Sequence, residues 1–474
     1  MSTDLLSSLL SNVWALFLVI VLFGGSIFVH ELGHFLAARR RGVHVERFSI
    51  GFGPAIWSWR GKDGVEYRVS WLPLGGYVLL PQLADLGAIE GESTTDVAKL
   101  PPVSYATKMI VFVMGAAFNM LFAFALACIV WVIGQPVATG LTSTTVAEIS
   151  PTLKTVDGKE VPSPAMKAGL RSGDVITAVD GESVATLSDI QEHLALSSGW
   201  NGQGERVTMF TLRRGADTID VPIKPILSGP EKTRMVGFST VAKLVVGQVT
   251  PDSPAQRAGL RPDDQIVGLN DKPMLSASQL IDGLRAAPDR PAQLAVLRAG
   301  QRVILTVERA KGAKDGAEIG LLSFKTGLVI THPNPFAQIS ECIVKTVRTL
   351  WALVNPRSDI NLTHVVGPIG MISNIVDFSR AGLPFALWFT ILVNVNLAIF
   401  NLLPLPVLDG GQMLFATIGR LRGRALPLNF VLTAQSVFLV LLFSLMLYVS
   451  FFVDIPRIAR DMKAERAEAA APAK

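Results

Sequence analysis

Four long apolar stretches punctuate a chain whose other segments read as short strands, turns and helices. Val13 to about Leu36, about Met109 to Ile133, about Leu383 to Leu403 and about Leu428 to Phe452 carry them. Each comes close to the ~20 residues that cross a hydrocarbon core as a helix. Buried helices of soluble proteins seldom run so far without charge, so the pattern predicts an α-helical polytopic membrane protein with four transmembrane helices. No basic residue precedes the first run and no small-residue cleavage site follows it, so it reads as a retained span rather than a secretory signal. Arg39, Arg40, Arg41 and Arg47 follow that run, Lys108 stands at the start of the second, and Arg420, Arg422 and Arg424 separate the last two. The positive-inside rule makes those loops cytoplasmic and places both termini and the long middle region outside. The tail runs against this with Arg457, Arg460, Lys463 and Arg466, although Asp454, Asp461, Glu465 and Glu468 accompany them.

The segments between the spans have patterns of their own. The stretch 39–106 is β-rich: Ala55–Trp59 and Val65–Val69 flank an Asp63-Gly64 turn and predict a hairpin. The apolar strand Trp71–Leu80, interrupted by Gly75-Gly76, follows it. Such strands beside membrane spans need a backbone that is paired or faces water, which makes the region membrane-associated. In the middle, Ser163-Pro164-Ala165, Ala168-Gly169-Leu170 and Gly173-Asp174 recur as Ser253-Pro254-Ala255, Ala258-Gly259-Leu260 and Asp263-Asp264. Each copy continues into a β-branched strand and a turn, at Asp180-Gly181 and at Asn270-Asp271. A tandem pair of α+β domains is predicted, over 141–240 and 242–325. Each Ala-Gly-Leu marks a place for a ligand loop, and strand addition would let the domains bind a peptide end. In 336–380, Ile339, Ile343, Val347 and Leu350 stand at helical spacing with Lys345 and Arg348 between them, predicting an amphipathic surface or interfacial helix. The other divisions are 1–38, 107–134, 383–411 and 428–453 for the spans with their flanks, and 454–474 for an alanine-rich, frayed tail.

Composition agrees with a membrane protein. Of 474 residues, 50% are hydrophobic and 17% charged, against about 25% charged in soluble domains. The net charge of +5 is small for this length, and no basic tract alternates with aromatics, which argues against nucleic acid as a partner. Cys128 and Cys342 are far apart and form neither a disulfide framework nor a zinc knuckle.

His30-Glu31-Leu32-Gly33-His34 matches H-E-x-x-H. On a helix, positions i and i+4 share a face, so both imidazoles can reach one metal ion, with Glu31 beside them as a base for water. The plain alternative is a polar, frayed helix end facing the cytoplasm. Depth weighs against it: His30 precedes Arg39 by nine residues, about 13 Å of helix at ~1.5 Å per residue. An idle glutamate there costs at least ~2.5 kcal/mol. Catalytic zinc takes three protein ligands, and the best third candidate is Asp409. It follows Pro404 and Pro406, which break span three, and precedes Gly410-Gly411, which permit an irregular backbone. The alternative for Asp409 is to cap a helix from about Met413 to Gly419. His44, His193, His332 and His364 have no partners at ligand spacing. Asn119 and Gln435 read as interhelical hydrogen-bonding residues.

His30–His34 in span one, the tandem repeats and Asn401-Leu402-Leu403-Pro404-Leu405-Pro406-Val407-Leu408-Asp409-Gly410 together resemble the site-2 protease family, intramembrane zinc metalloproteases, in its bacterial form. Phe48–Gly53, Pro73–Val78 and Gly367-Pro368-Ile369 add to a likeness that covers nearly the whole chain. It implies that His30, His34 and Asp409 hold Zn2+, that Glu31 is the general base, and that Asn396 and Asn401 hold substrate near the metal. Gly75 and Gly76 would lie in a membrane-associated loop that offers a strand edge to substrate. The middle domains would be extracytoplasmic PDZ-like domains that screen substrate ectodomains by size. Implied partners are the lipid bilayer of a bacterial inner membrane and single-pass membrane proteins, such as a pre-trimmed anti-sigma factor or remnant signal peptides. The active site would open toward the cytoplasm. Two positions depart from the family pattern. Gly115-Ala116-Ala117-Phe118-Asn119 stands where Gly-Pro-x-x-Asn is common, and Gln412 where histidine often follows Asp-Gly-Gly.

A metal-ion transporter would also place histidine and acidic residues in spans, but along a path over several helices. Spans two and four contain none. A silent scaffold working through the repeats would not need Glu31 and Asp409 alongside two histidines.

Overall fold

The structure, a computed structural model, describes residues 2–83, 99–196, 206–229, 232–287, 290–308, 319–356, 358, 360 and 364–470. Among these, four helices are long and apolar enough to cross a membrane: Val13–Arg40, Tyr105–Ile133, Leu383–Asn401 and Leu428–Lys463. The chain divides into a helical unit, built from both ends of the sequence, and a unit made of the insert Pro136–Thr331 together with Trp351–Asn361.

In the helical unit, α1 (Ser2–Arg40) packs on α2 (Tyr105–Ile133). Ser104 caps α2 by accepting from the Thr107 N–H at 3.2 Å, and Gly134 ends it at a φ of 79°. The two helices approach closely because Gly33 has no side chain; a Cβ there would lie 2.3 Å from the Met114 carbonyl oxygen. α3 (Pro335–Val354) is the predicted amphipathic helix: Ile339, Cys342 and Ile343 pack inward, while Val347 stays 52% exposed. Ile339, Cys342 and Ile343 join Leu22, Ala127 and Ile391 in one core, with α5 (Leu383–Asn401) contributing Ala386 and Val395. Polar groups bridge these apolar helices, as lipid-embedded packing favours. Asn394 donates to Ser26 Oγ at 2.8 Å, and Gln338 donates to the Ala127 carbonyl at 3.0 Å.

α4 (Pro368–Ala381) begins at the Gly-Pro-Ile motif. The Gly367 and Gly370 N–H groups donate to the carboxylate of Asp454, which is fully buried in a π-helical turn after α7 (Leu428–Val449). A Cβ on either glycine would meet that carboxylate at 2.6 Å. Between α5 and α7 runs α6 (Asp409–Leu421), and after the π turn the chain continues as α8 (Ile455–Ala470). The expected frayed tail is therefore helical over most of its length.

The β-rich region is a pair of bent strands, Arg47–Arg60 and Glu66–Leu79. Arg47–Ile50 faces Glu66–Val69 on one side and Gly76–Leu79 on the other, while Trp57–Arg60 pairs with Glu66–Val69. Gly76–Leu79 thereby becomes an edge, with no further strand beside it among the described residues.

The inserted unit opens with Gln135–Ala138 and closes with Leu328–Thr331, and these two strands pair with each other. Between them lie two α+β repeats. The first carries Asp217–Ile223, Thr208–Arg214, Val175–Val179 and Glu182–Ser183 in one sheet, with helix Leu187–Leu196. The second orders Gln301–Val307, Ala292–Arg298, Gln265–Leu269, Leu244–Val249 and Leu321–Thr326, with helix Ala277–Arg285. The repeated residues explain themselves. Ser163 and Ser253 each cap a one-turn helix. Gly169 and Gly259 turn the chain at φ 72° and 87°, which buries Leu170 and Leu260 in the two cores. The Ala-Gly-Leu segments are thus turns anchored in the two cores.

Asp174 and Asp264 complete the pattern. Asp174 accepts from the Arg171 N–H and from Arg214 Nε and Nη2 at 2.7–2.8 Å; Asp264 accepts likewise from Arg261 and Arg298 at 2.7–2.9 Å. Burial pushes both carboxyls up, but the arginine and backbone hydrogen bonds outweigh it and hold them below the usual carboxylate range. Each arginine also reaches the glycine turn, at the Gly169 or Gly259 carbonyl.

Candidate metal centre

One helical turn of α1 brings the two histidines together. Their Nε2 atoms are 3.2 Å apart and the rings meet edge to face at 82°. Asp409 Oδ2 lies 3.5 Å from His30 Nε2 and 3.4 Å from His34 Nε2. The three atoms form a nearly equilateral triangle. A tetrahedral ion with ligand bonds of about 2.0–2.1 Å holds its ligand atoms about 3.3–3.4 Å apart. Asp409 Oδ2 is enclosed and has no hydrogen-bond partner, an arrangement that is costly unless a cation completes it. Donor type, spacing and this orphaned oxygen all fit a metal ion. Among the described residues, no other cluster of three or more His, Cys, Asp or Glu side chains fits one.

Asp409 arrives by an irregular route. α5 ends at Asn401, and the chain then folds through tight turns, Leu405 N–H to the Leu403 carbonyl at 2.7 Å and Leu408 N–H to Leu405 at 2.9 Å. α6 begins at Asp409 itself, capped by Leu408 with no side-chain bond. This removes the helix-capping alternative. It also explains the two glycines: a Cβ on Gly410 would lie 2.3 Å from the Leu403 carbonyl oxygen, and one on Gly411 2.0 Å from that of Leu405. The carboxylate stands in the first turn of α6, where the helix dipole favours an anion.

α2 supplies the back wall. His34 Nδ1 is 2.8 Å from the Val111 carbonyl oxygen, and the Asn119 amide is 3.2 Å from His30 Nδ1. A Cβ at Gly115 would lie 2.3 Å from His34 Nε2, so only glycine admits both imidazoles there. Sequence reasoning marked Asn119 as an interhelical hydrogen-bonding residue without naming His30 as its partner, and it did not find Val111. Gly115 and Asn119 stood out only as part of the Gly115–Asn119 segment, spaced by one helical turn.

A cavity of about 130 Å³ opens on the cluster, bounded by His30, Glu31, His34, Asp409, Gln412 and the Gly76–Val78 edge. Glu31 is 9% exposed, and its side chain packs against Gly76, where a Cβ would meet Glu31 Cγ at 3.0 Å. Gly76 is therefore brought to the site. Gly75 instead packs under the Phe52 ring and does not line the cavity. Asn396 and Asn401 do not line it either: Asn396 Oδ1 accepts from Thr346 Oγ1 of α3 at 2.5 Å, and Asn401 closes α5.

This fold and cluster define a metallopeptidase built into a helical membrane bundle. The model of peptidase family M50 matches residues 18–445, and the chain belongs to that family. The regulator of sigma E protease of Salmonella typhi is 30% identical over 464 residues, covering 94% of this chain and 99% of its own. The regulator of sigma-E protease RseP of Escherichia coli K12 is 30% identical over 473 residues, with the same coverage. The resemblance to site-2 proteases drawn from the motifs is borne out.

Proposed function

We propose that the chain is a zinc endopeptidase that cuts single-pass membrane proteins within or beside their transmembrane segments. His30, His34 and Asp409 hold the metal and Glu31 is the general base. The observation that carries this is the triangle of ligand atoms with edges of 3.2, 3.4 and 3.5 Å. Zinc, when bound, supplies Lewis acidity, lowering the pKa of water toward ~7 and polarising a carbonyl. Glu31 takes the proton of the attacking water and returns it to the leaving amine. A substrate helix hides its carbonyls in its own hydrogen bonds and must unwind to be cut. The Gly76–Leu79 edge offers pairing groups for the freed backbone. Asn396 and Asn401 are the amides proposed to hold it further along. For Asn396 this requires exchange of its bond to Thr346.

The basic loops argue for an inner-membrane orientation in which the site opens to the cytoplasm and the PDZ-like repeats face outward. The repeats then screen substrates by bulk, and the natural substrate class is a protein already trimmed outside the membrane. An anti-sigma factor fits the names of the relatives, and remnant signal peptides fit the same geometry. The test is Glu31→Gln, co-expressed with candidate single-pass proteins. The variant retains zinc, and turnover falls by about 10²–10⁴. Undiminished cleavage removes Glu31 from its role. The metal assignment requires in addition that Asp409→Asn lose zinc.

A further inference from the structure

We propose that Asn119 is a positioning residue for the metal, fixing the orientation and tautomer of His30. The inference rests on the zinc reading above. Asn119 is fully buried in α2, in an apolar stretch where an isolated amide is expensive. One end of its amide faces His30 Nδ1 at 3.2 Å; the other is enclosed with no hydrogen-bond partner. A leucine has the same branched side-chain skeleton and no amide to desolvate between α1 and α2, so packing alone does not account for the residue.

The imidazole decides what the amide does. His30 Nε2 points at His34 Nε2 and Asp409 Oδ2, and a ligand nitrogen must present its lone pair. The ring proton is then on Nδ1, which becomes a donor. An amide NH2 cannot accept it, so the Asn119 oxygen is the atom that faces His30. The amide oxygen and nitrogen are assigned by such a network. His34 has the same arrangement, with the Val111 carbonyl 2.8 Å from its Nδ1. Val111, Gly115 and Asn119 stand four residues apart, on one stripe of α2. The first and last each take a ring proton, and the middle one leaves room for both rings. Partners of this kind, placed behind ligating histidines, are worth about 10–100-fold in metal affinity.

The experiment compares full-length wild-type, Asn119→Leu, Asn119→Ala and Asn119→Asp proteins in detergent. Zinc affinity is read by chelator competition, the absorption of the Co2+-substituted site reports ligand geometry, and thermal unfolding of the metal-free proteins checks the fold. Leu and Ala are expected to lower zinc affinity about 10–100-fold and to shift the Co2+ bands. Asp, which also accepts from Nδ1–H, is expected to stay near wild type in both. A Leu variant with wild-type affinity and spectrum overturns the proposal, as does an Asp variant no better than Ala. If Leu does not fold, the Ala–Asp comparison decides between the same two outcomes. If the wild-type protein holds no zinc, it is the metal-site reading that fails, not this refinement alone.

Discussion

Buried aspartates occur in both units of this chain, and they are treated in opposite ways. In the inserted repeats, Asp174 and Asp264 are 1% and 2% exposed, and both oxygens of each are engaged by an arginine and a backbone N–H. In the helical unit, Asp409 turns an enclosed oxygen toward two imidazole nitrogens, and that oxygen has no hydrogen-bond partner. A carboxylate whose bonds are complete is architecture. One held with a bond missing, by a backbone that tolerates only glycine at the next two positions, has the form of a metal ligand. Asp454 belongs with the first kind, since its oxygens receive the Gly367 and Gly370 N–H groups.

Exchanging the two treatments gives the largest effect. Asp409→Asn is expected to lose zinc and cleavage while the apo protein unfolds at the wild-type temperature. Asp264→Asn is expected to keep zinc at full stoichiometry and to lower stability by roughly 1.5–3 kcal/mol, the value of a charged hydrogen-bonded partner. Metal analysis and thermal unfolding of the two variants, side by side, break the distinction if either result is reversed. Next in size is Gly115→Ala. Its methyl group would sit 2.3 Å from His34 Nε2, so displacement of that ring should weaken zinc binding at least about tenfold, comparable to loss of a supporting partner. Far-ultraviolet circular dichroism should be unchanged.

The smallest effect is in pH. Asp174 and Asp264 are held below their unfolded values, near about 3.9. The stability they contribute is fully present above that value and is lost as pH falls through their lower folded values. Denaturant midpoints of the full chain, followed from about pH 5 downward, should fall more steeply below about pH 3.9. Asp174→Asn and Asp264→Asn should each flatten that fall; an unaltered profile would separate these carboxylates from acid stability.

Much of this was legible in the sequence because it is local. Length and apolarity gave the spans, spacing by four gave the His30–His34 pair, and in-register repetition gave the two α+β domains. Asp409 was legible in part: its prolines and glycines announced an irregular backbone and made it the best third candidate, the resemblance pointed the same way, and the start of α6 at Asp409 itself removes the helix cap. What was hidden is long-range. Arg214 and Arg298 sit 40 and 34 residues beyond the aspartates they hold. Asp454 reaches Gly367 across 87 residues. Nothing in the pattern around Asn119 shows that its neighbour is His30, 89 positions away.

The pairing of Gln135–Ala138 with Leu328–Thr331 has a consequence for how such a molecule can be assembled. An insert whose first and last strands lie side by side leaves its host through one doorway and returns through the same one. The host chain need not stretch to accommodate it, whatever the insert's length. A lineage can therefore duplicate the cargo, as the matching Ser-Pro-Ala and Ala-Gly-Leu segments record here, or trim it back to a short hairpin. The helices that carry His30 and Asp409 are spliced at neither end of that change.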